Sequence, residues 1–216
     1  MSNTSVQQKI PKNIVQYWTE ENLPSYLIEL SKSFSLVYPD FNYQLFNRNS
    51  AIVFLKKHYD MDISNAFKSL KVPAMQSDFF RVAYLLVEGG MYVDISHRAH
   101  IKIDDLIFKI DKLFVFTRPT GAIINGIILA PKENELLSLI FERILKNIAR
   151  KDSFSAYQVT GPANFNRILT ASNCIMIEKH AMWKYIRGDK LYSREKLYTE
   201  KNTHWSEMKN IADVYE

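Results

Sequence analysis

The run Met75 to Asp94 limits what this chain can fold into more than any other feature. Met75-Gln76-Ser77-Asp78-Phe79-Phe80-Arg81-Val82-Ala83-Tyr84-Leu85-Leu86-Val87-Glu88 reads as a helix, stopped by Gly89-Gly90. Glycine takes a left-handed conformation without steric cost and so serves as a helix C-cap. The apolar stretch that follows, Met91-Tyr92-Val93-Asp94-Ile95, reads as a buried strand that carries Asp94 to its far end. At about 100° per residue, Asp78, Arg81 and Glu88 share one narrow stripe, and apolar residues occupy nearly every other direction. A helix of this kind is mostly buried, and buried charges are paired or hold a ligand. Asp78 and Arg81, three residues apart, are spaced for either role or for both. In the simplest reading they form an internal salt bridge and Asp94 caps a turn. Strand ends in open α/β sheets are also where ligands collect.

At 216 residues the chain suits one domain, 1–216, with enough length for a core without disulfides, and residues 1–9 are expected to form a flexible N-terminus. Its single cysteine, Cys174, rules out an internal disulfide framework and fits a reducing compartment. The N-terminus lacks the apolar core of a signal peptide, and no apolar run approaches the roughly 20 residues of a membrane span. A cytoplasmic protein is therefore expected, with peripheral contact at an inner membrane face left open. The net charge of +5 is spread along the chain, and the densest group (Lys184, Arg187, Lys190, Arg194, Lys196) is interrupted by apolar and acidic residues. No nucleic-acid motif accompanies it, so a solvated basic surface is the default and no nucleic-acid partner is expected.

Strands and helices alternate. Ile10 to Trp18 reads as a first strand, with Pro11 at its start. Leu23-Pro24-Ser25 opens a helix to about Val37, and Asn42 to Asn47 alternates as a strand. Asn49 and Ser50 are placed to cap a helix through His58, and a shorter helix is expected over Ile63 to Leu70. Extended segments follow at Leu113 to Phe116 and Ile123 to Ala130. Asn134 to Arg150 is the clearest amphipathic helix, with Leu136, Leu137, Ile140, Ile144, Leu145 and Ile148 facing inward and Glu142–Lys146 paired outside. A further helix is expected after Thr160-Gly161-Pro162, and short strands between Cys174 and Trp205. This pattern predicts an α/β layer fold.

Ser77-Asp78-x-x-Arg81, Gly89-Gly90 and the strand into Asp94 together resemble the sugar-transferase signature of glycosyltransferase family 32 and, more distantly, of the clostridial glucosylating toxins. The opening Ile10-Pro11-Lys12-x-Ile14-x-Gln16-x-Trp18 is similar to the usual first strand of that family. The resemblance implies a GT-A fold with a mixed, mostly parallel sheet flanked by helices. It also implies transfer of a sugar from a nucleotide donor, UDP-linked, to the hydroxyl of a glycan or lipid-linked glycan, with retention, in surface polysaccharide or capsule biosynthesis.

By the same resemblance, Gln16, Tyr17 and Trp18 line the nucleobase site, although Trp18 serves equally well as a core anchor. Asp78 and Arg81 bind the donor, the guanidinium as a fork on phosphate or sugar oxygens. Asp94 matches the first acid of an Asp-x-Asp motif that ties Mn²⁺ or Mg²⁺ to the diphosphate. The second acid is replaced by Ser96, a poorer ligand for a hard cation. His97 or His100 then assists a softer metal, or the His97-Arg98 segment neutralises the diphosphate, or catalysis is weakened. Near the end, Glu200, Thr203 and Trp205 resemble a closing loop in which the acid and hydroxyl approach the metal and the indole N–H reaches the diphosphate; a frayed tail is the alternative. Asn125-Gly126 and Thr160-Gly161-Pro162 match loops that face the acceptor, with Asn125 and Thr160 as candidates, and otherwise serve as turn punctuation. No residue stands out as a catalytic base or nucleophile. Two rival readings remain: a GT-A-like protein that binds nucleotide or glycan without transfer, and a basic module for polyanions or membranes.

Overall fold

Near-continuous burial along the central strands marks a sheet covered on both faces. The computed structural model describes residues 9–188 and 209–216. In chain order the elements are β1 (Asn13–Tyr17), α1 (Ser25–Val37), β2 (Asn42–Phe46), α2 (Arg48–His58), α3 (Met61–Lys68), α4 (Pro73–Glu88), β3 (Gly90–Val93) and β4 (His97–Ala99). Then come β5 (Phe114–Thr117), β6 (Ile123–Ala130), α5 (Glu135–Arg150), α6 (Ala156–Val159), α7 (Pro162–Asn166), β7 (Ile175–Glu178), α8 (Lys179–Met182) and β8 (Ile186–Gly188). The main sheet has six strands in the order β2-β1-β3-β6-β5-β7. Every neighbouring pair that excludes β6 is parallel, and β6 runs antiparallel to both β3 and β5. This is the mixed, mostly parallel α/β sheet expected from the sequence.

Successive side chains along a strand point to opposite faces. Val15, Tyr17, Tyr92, Val115 and Ile128 join the core beneath α2 to α5, with Phe79, Phe80, Leu85, Leu137, Ile140 and Ile144. Ile14, Met91, Val93, Phe114, Phe116 and Leu129 face the other way, against Phe34 and Tyr38 of the α1 region and Ile103 and Phe108 of the loop after β4. The helix α4 is buried along most of its length, which is why its sequence is apolar in nearly every direction.

Several boundaries differ from the sequence reading for local reasons. The cap of α2 is Asn47, whose side chain accepts from the Ser50 N–H while the Ser50 hydroxyl accepts from the Asn47 N–H, a reciprocal capping box that starts two residues upstream of the expected Asn49. Pro73 in the first turn starts α4 ahead of Met75. The helix after Thr160 is only Pro162–Asn166. Asn134 caps α5 as expected, its side chain accepting from the Leu137 N–H at 3.2 Å, and Glu142 meets Lys146 at 3.7 Å. Phe141 joins the inward face, whereas Leu136 and Leu145 are only partly buried. Strands β7 and β8 fall among the short strands expected after Cys174, whereas β4, the partner of β8, had no signal in the sequence because a three-residue strand is too short to show alternation.

The turn from α4 into β3 rests on Gly90. It sits at φ +105°, and a Cβ there would lie 2.6 Å from the Asn13 carbonyl oxygen. Gly121 is also left-handed, at φ +80°, but a Cβ there meets nothing. Urea unfolding is expected to show that Gly121→Ala costs about 1–2 kcal/mol of backbone strain and that Gly90→Ala costs distinctly more, because β1 has to move as well. Equal losses would contradict this.

Candidate active site

The stop at Gly89-Gly90 turns the chain back so that β3 runs beneath α4 and ends beside the first half of that helix. A cavity of about 700 Å³ opens there. Ser77, Asp78 and Arg81 of α4, Asp94 to His97 after β3, Asn125 and Gly126 of β6, and Tyr17 to Thr19 at the end of β1 all line it. The cavity lies at the carboxyl ends of the parallel strands β1 and β3, the usual place for a ligand in an open α/β sheet.

Arg81 is the hub. Its Nη2 lies 3.1 Å from Asp78 Oδ1 and 3.0 Å from Asp94 Oδ1, and it donates to Ser77 Oγ at 2.9 Å. Its Nε donates to the Ser77 carbonyl at 3.2 Å, and its Nη1 donates to the Asn125 carbonyl. The guanidinium carbon sits 4.4 Å from the centre of the Tyr92 ring. The side chain is 4% exposed, so the fork is turned onto the protein. Arg81 therefore makes the internal salt bridge with Asp78 that the three-residue spacing allowed, and extends it to Asp94 and a β6 carbonyl. The Tyr92 hydroxyl donates to Asp94 Oδ1 at 3.0 Å and meets the Ser77 hydroxyl at 2.7 Å. Asp94 Oδ1 is thus fixed twice. Its Oδ2 faces Gly126, where a Cβ would come within 2.5 Å of it. Only glycine at 126 leaves that room.

Asp78 is enclosed. It accepts from Asn125 Nδ2 at 2.8 Å and from the Thr160 hydroxyl at 3.4 Å. Burial raises its pKa; Arg81 pulls back and Asp94 adds to the rise, leaving it at about 6. Burial works against the Arg81 charge, but Asp94, Tyr92 and Asp78 outweigh it and hold Arg81 above the ordinary arginine value. Burial keeps Tyr92 neutral, as a donor. Burial also lowers His97, whose Nδ1 is enclosed with no hydrogen-bond partner.

The other expected residues divide between wall and support. Gln16 is fully buried and is not part of the cavity wall: it donates to the Asp94 carbonyl at 3.3 Å and accepts from the Tyr43 hydroxyl at 2.8 Å. Tyr17 reaches the wall, but its hydroxyl donates to Gln76 Oε1 at 2.8 Å. Trp18 is on the wall and also packs against Leu27, Leu30 and Ile95; its indole N–H is enclosed without a partner. Ser96 lines the cavity, whereas exposed His100 does not and instead donates its backbone N–H to the Tyr185 carbonyl. Thr160 is wholly buried, behind Asp78. Glu88, on the Asp78/Arg81 stripe in sequence, lies at the far end of α4 with Lys132, 3.2 Å away. Glu200, Thr203 and Trp205 lie outside the described residues. The sequence reading missed Ser77, Tyr92, Arg118 and Tyr157; Ser77 and Tyr92 stand within the quoted motifs and were visible as polar groups on a buried helix and strand.

Among the described residues no group of three acidic, histidine or cysteine side chains is placed to hold a metal. Asp94 Oδ2 is still a fitting single carboxylate ligand, because Mg²⁺ binds through one or two carboxylates plus substrate phosphates and retains several waters.

Two outcomes follow from the Arg81 hub. Arg81→Leu leaves a buried carboxylate uncompensated and is expected to cost about 3–5 kcal/mol in urea unfolding; a loss no larger than that of an exposed-site substitution would contradict the hub. The second concerns pH. Asp78 has a folded pKa near 6, above its ordinary 3.8, so between those values the folded chain binds more protons than the unfolded one. The stability that a protonated Asp78 contributes is full below 3.8 and is lost as pH rises through about 6. The stability of the natural chain relative to Asp78→Asn should therefore fall as pH rises across this window; a rise would be the contrary result.

Comparison with known proteins agrees with this geometry. Residues 12–109, a little under half of the chain, match the family described as glycosyltransferase sugar-binding region containing DXD motif. Mannosyl phosphorylinositol ceramide synthase SUR1 of Saccharomyces cerevisiae is 30% identical over 100 residues, 46% of this chain and 26% of that protein. The initiation-specific alpha-1,6-mannosyltransferase of the same yeast is 32% identical over 97 residues, 42% of this chain and 20% of that protein. The chain thus spans about a quarter of the length of these relatives. Among solved structures, the UDP-bound glycosyltransferase domain from the YGT toxin superposes with a TM-score of 0.62 at 10% identity, covering 89% of this chain and 82% of that one. The matches in sequence and in fold both fall on glycosyltransferase enzymes, and the architecture of this chain is that of a GT-A glycosyltransferase domain.

Proposed function

We propose that the chain transfers a sugar from a nucleoside diphosphate donor to a glycan hydroxyl. The observation that carries this reading is Asp94, held by Arg81 and Tyr92 through one oxygen, with a side chain still 35% exposed on the wall of a cavity at the strand ends. The UDP in the toxin-domain structure favours a UDP donor, and the names of the two yeast relatives favour a mannosyl group as the cargo. A glycan or lipid-linked glycan acceptor, a role in surface polysaccharide or capsule synthesis, and cytoplasmic work beside a membrane belong to the same proposal. No helix among the described residues is long and apolar enough to cross a membrane.

In the reaction the bond from the anomeric carbon to the diphosphate oxygen breaks and the acceptor oxygen bonds to that carbon. The acceptor proton ends on the departing phosphate. Retention suits this site, since Asp78 and Asp94, the carboxylates on the described wall, are both tied to Arg81 and neither is placed as a base. Asp78, behind Asn125 and Thr160, steadies positive charge developing on the sugar. The enclosed indole N–H of Trp18 is a donor without a partner, beside the position proposed for the base. A divalent cation, Mn²⁺ or Mg²⁺, held by Asp94 Oδ2 with Ser96, Glu200 and Thr203 as further candidates, would supply charge neutralisation for the leaving group. Trp205 is proposed to reach the diphosphate from the same segment as Glu200 and Thr203.

Ser96 in place of the second acid favours one other reading, a protein that binds nucleotide or glycan without transfer. A turnover assay separates the two: the protein is incubated with UDP- and GDP-linked sugars and Mn²⁺, and released nucleotide is measured. Slow hydrolysis of one donor is expected, falling at least about a hundredfold in Asp94→Asn, in line with the loss of a group that stabilises transition-state charge. Binding without turnover would support the non-catalytic reading, and neither binding nor turnover would refute the proposal.

A further inference from the structure

The second cation on the cavity wall is Arg118, and the transfer chemistry proposed above leaves it without a task. It stands at the tip of the β5–β6 hairpin, where its N–H donates to the Ala122 carbonyl at 2.8 Å and its carbonyl accepts from the Gly121 N–H at 2.9 Å. The Asn166 side chain of α7 accepts from the Ile123 N–H at 3.0 Å and fastens the hairpin to the helix behind it. The backbone under Arg118 is therefore fixed. Unlike Arg81, its side chain is exposed and has no carboxylate within ion-pair distance among the described residues.

Position along β6 assigns its reach. The Asp94 N–H donates to the Gly126 carbonyl, and Val93 pairs with Ile127, so residues 122–125 run on beyond the end of β3 and form one wall of the cavity. Arg118 closes the hairpin against Ala122, four residues from Gly126, which is about 13 Å along an extended strand. Trp18 and Thr19 lie on the other side of Asp94, at the end of β1. The backbone of Arg118 thus stands about four strand positions beyond the carboxylate at the reacting centre, away from the nucleotide end. Tyr157 of α6, 38% exposed, lines the same cavity close to Thr160, the residue that reaches Asp78. An aromatic face and a guanidinium that pairs with no carboxylate among the described residues, lining one cavity, are the chemistry that holds a sugar ring and an anion next to it.

We propose that Arg118, with Tyr157, forms an acceptor subsite for a glycan carrying an anionic group, phosphate or carboxylate, at least one sugar away from the hydroxyl that receives the transferred residue. This rests on the transfer reading above. It explains why a cavity whose described carboxylates are already matched to Arg81 keeps a second positive charge that has no carboxylate partner among the described residues.

The test is calorimetric binding of three probes, with and without UDP and Mn²⁺: mannobiose, mannobiose 1-phosphate and a disaccharide ending in glucuronic acid. Titration of UDP alone reports on the transfer reading, so its failure is seen separately. The subsite predicts that at least one anionic probe binds about tenfold more tightly than mannobiose, the gain expected of one charge-assisted contact. Arg118→Ala should erase that preference, Arg118→Lys should keep part of it, and both should leave UDP affinity unchanged. Preference for phosphate over carboxylate, or the reverse, identifies the source of the anion. Equal binding of all three probes, a preference that survives Arg118→Ala, or a tenfold loss of UDP affinity in that variant would each overturn the assignment, the last by moving Arg118 to the donor.

Discussion

One buried guanidinium ties this structure together. Arg81 sits inside the protein with its nitrogen atoms facing Ser77 on its own helix, Asp78 one turn back, Asp94 at the end of β3 and the Asn125 carbonyl of β6. Those contacts fix helix to sheet at the point where the parallel part of the sheet meets its single reversed strand. A buried charge survives only when it is fully matched, and here the matching groups are the ones that shape the cavity. Packing and function therefore share the same atoms: a change that loosens the site also unfolds the region around it.

The consequence is a division of labour between the charged groups. Arg81 and Asp78 face inward and set geometry; Asp94 is shared, one oxygen spent on the protein and the other on the cavity. Support continues outward through Tyr92 and Ser77 beneath Asp94, and through Gln16 and Tyr43 beneath the Asp94 backbone. Gly126 completes it by leaving room for the carboxylate.

Much of this was legible in the sequence, for identifiable reasons. The Met75 to Asp94 run combined a helix period, a double-glycine stop and an apolar strand, and each signal has a local physical cause, so the elements and the pairing of Asp78 with Arg81 could be read directly. The direction in which Arg81 points could not. A three-residue spacing says that two side chains are neighbours, but a partner 44 positions away in the chain, such as the Asn125 carbonyl, or one at the end of the next strand, such as Asp94, exists only once β3 and β6 lie side by side. Gln16 was placed at the nucleobase wall by the family resemblance; alternation along β1 turns it to the face opposite Tyr17, where it donates to the Asp94 carbonyl. Arg118 and Tyr157 gave no signal because each stands alone in a loop or short helix, and only the fold brings them to one cavity.

The central claim is that Arg81 acts on the protein, not on the ligand. A crystal structure of the complex with UDP and Mn²⁺ tests it most directly. The account predicts that Arg81 keeps its contacts to Asp78, Asp94 and the Asn125 carbonyl while the diphosphate lies on the Asp94 Oδ2 side of the cavity. A guanidinium swung onto the phosphates, with both carboxylate contacts broken, would contradict it.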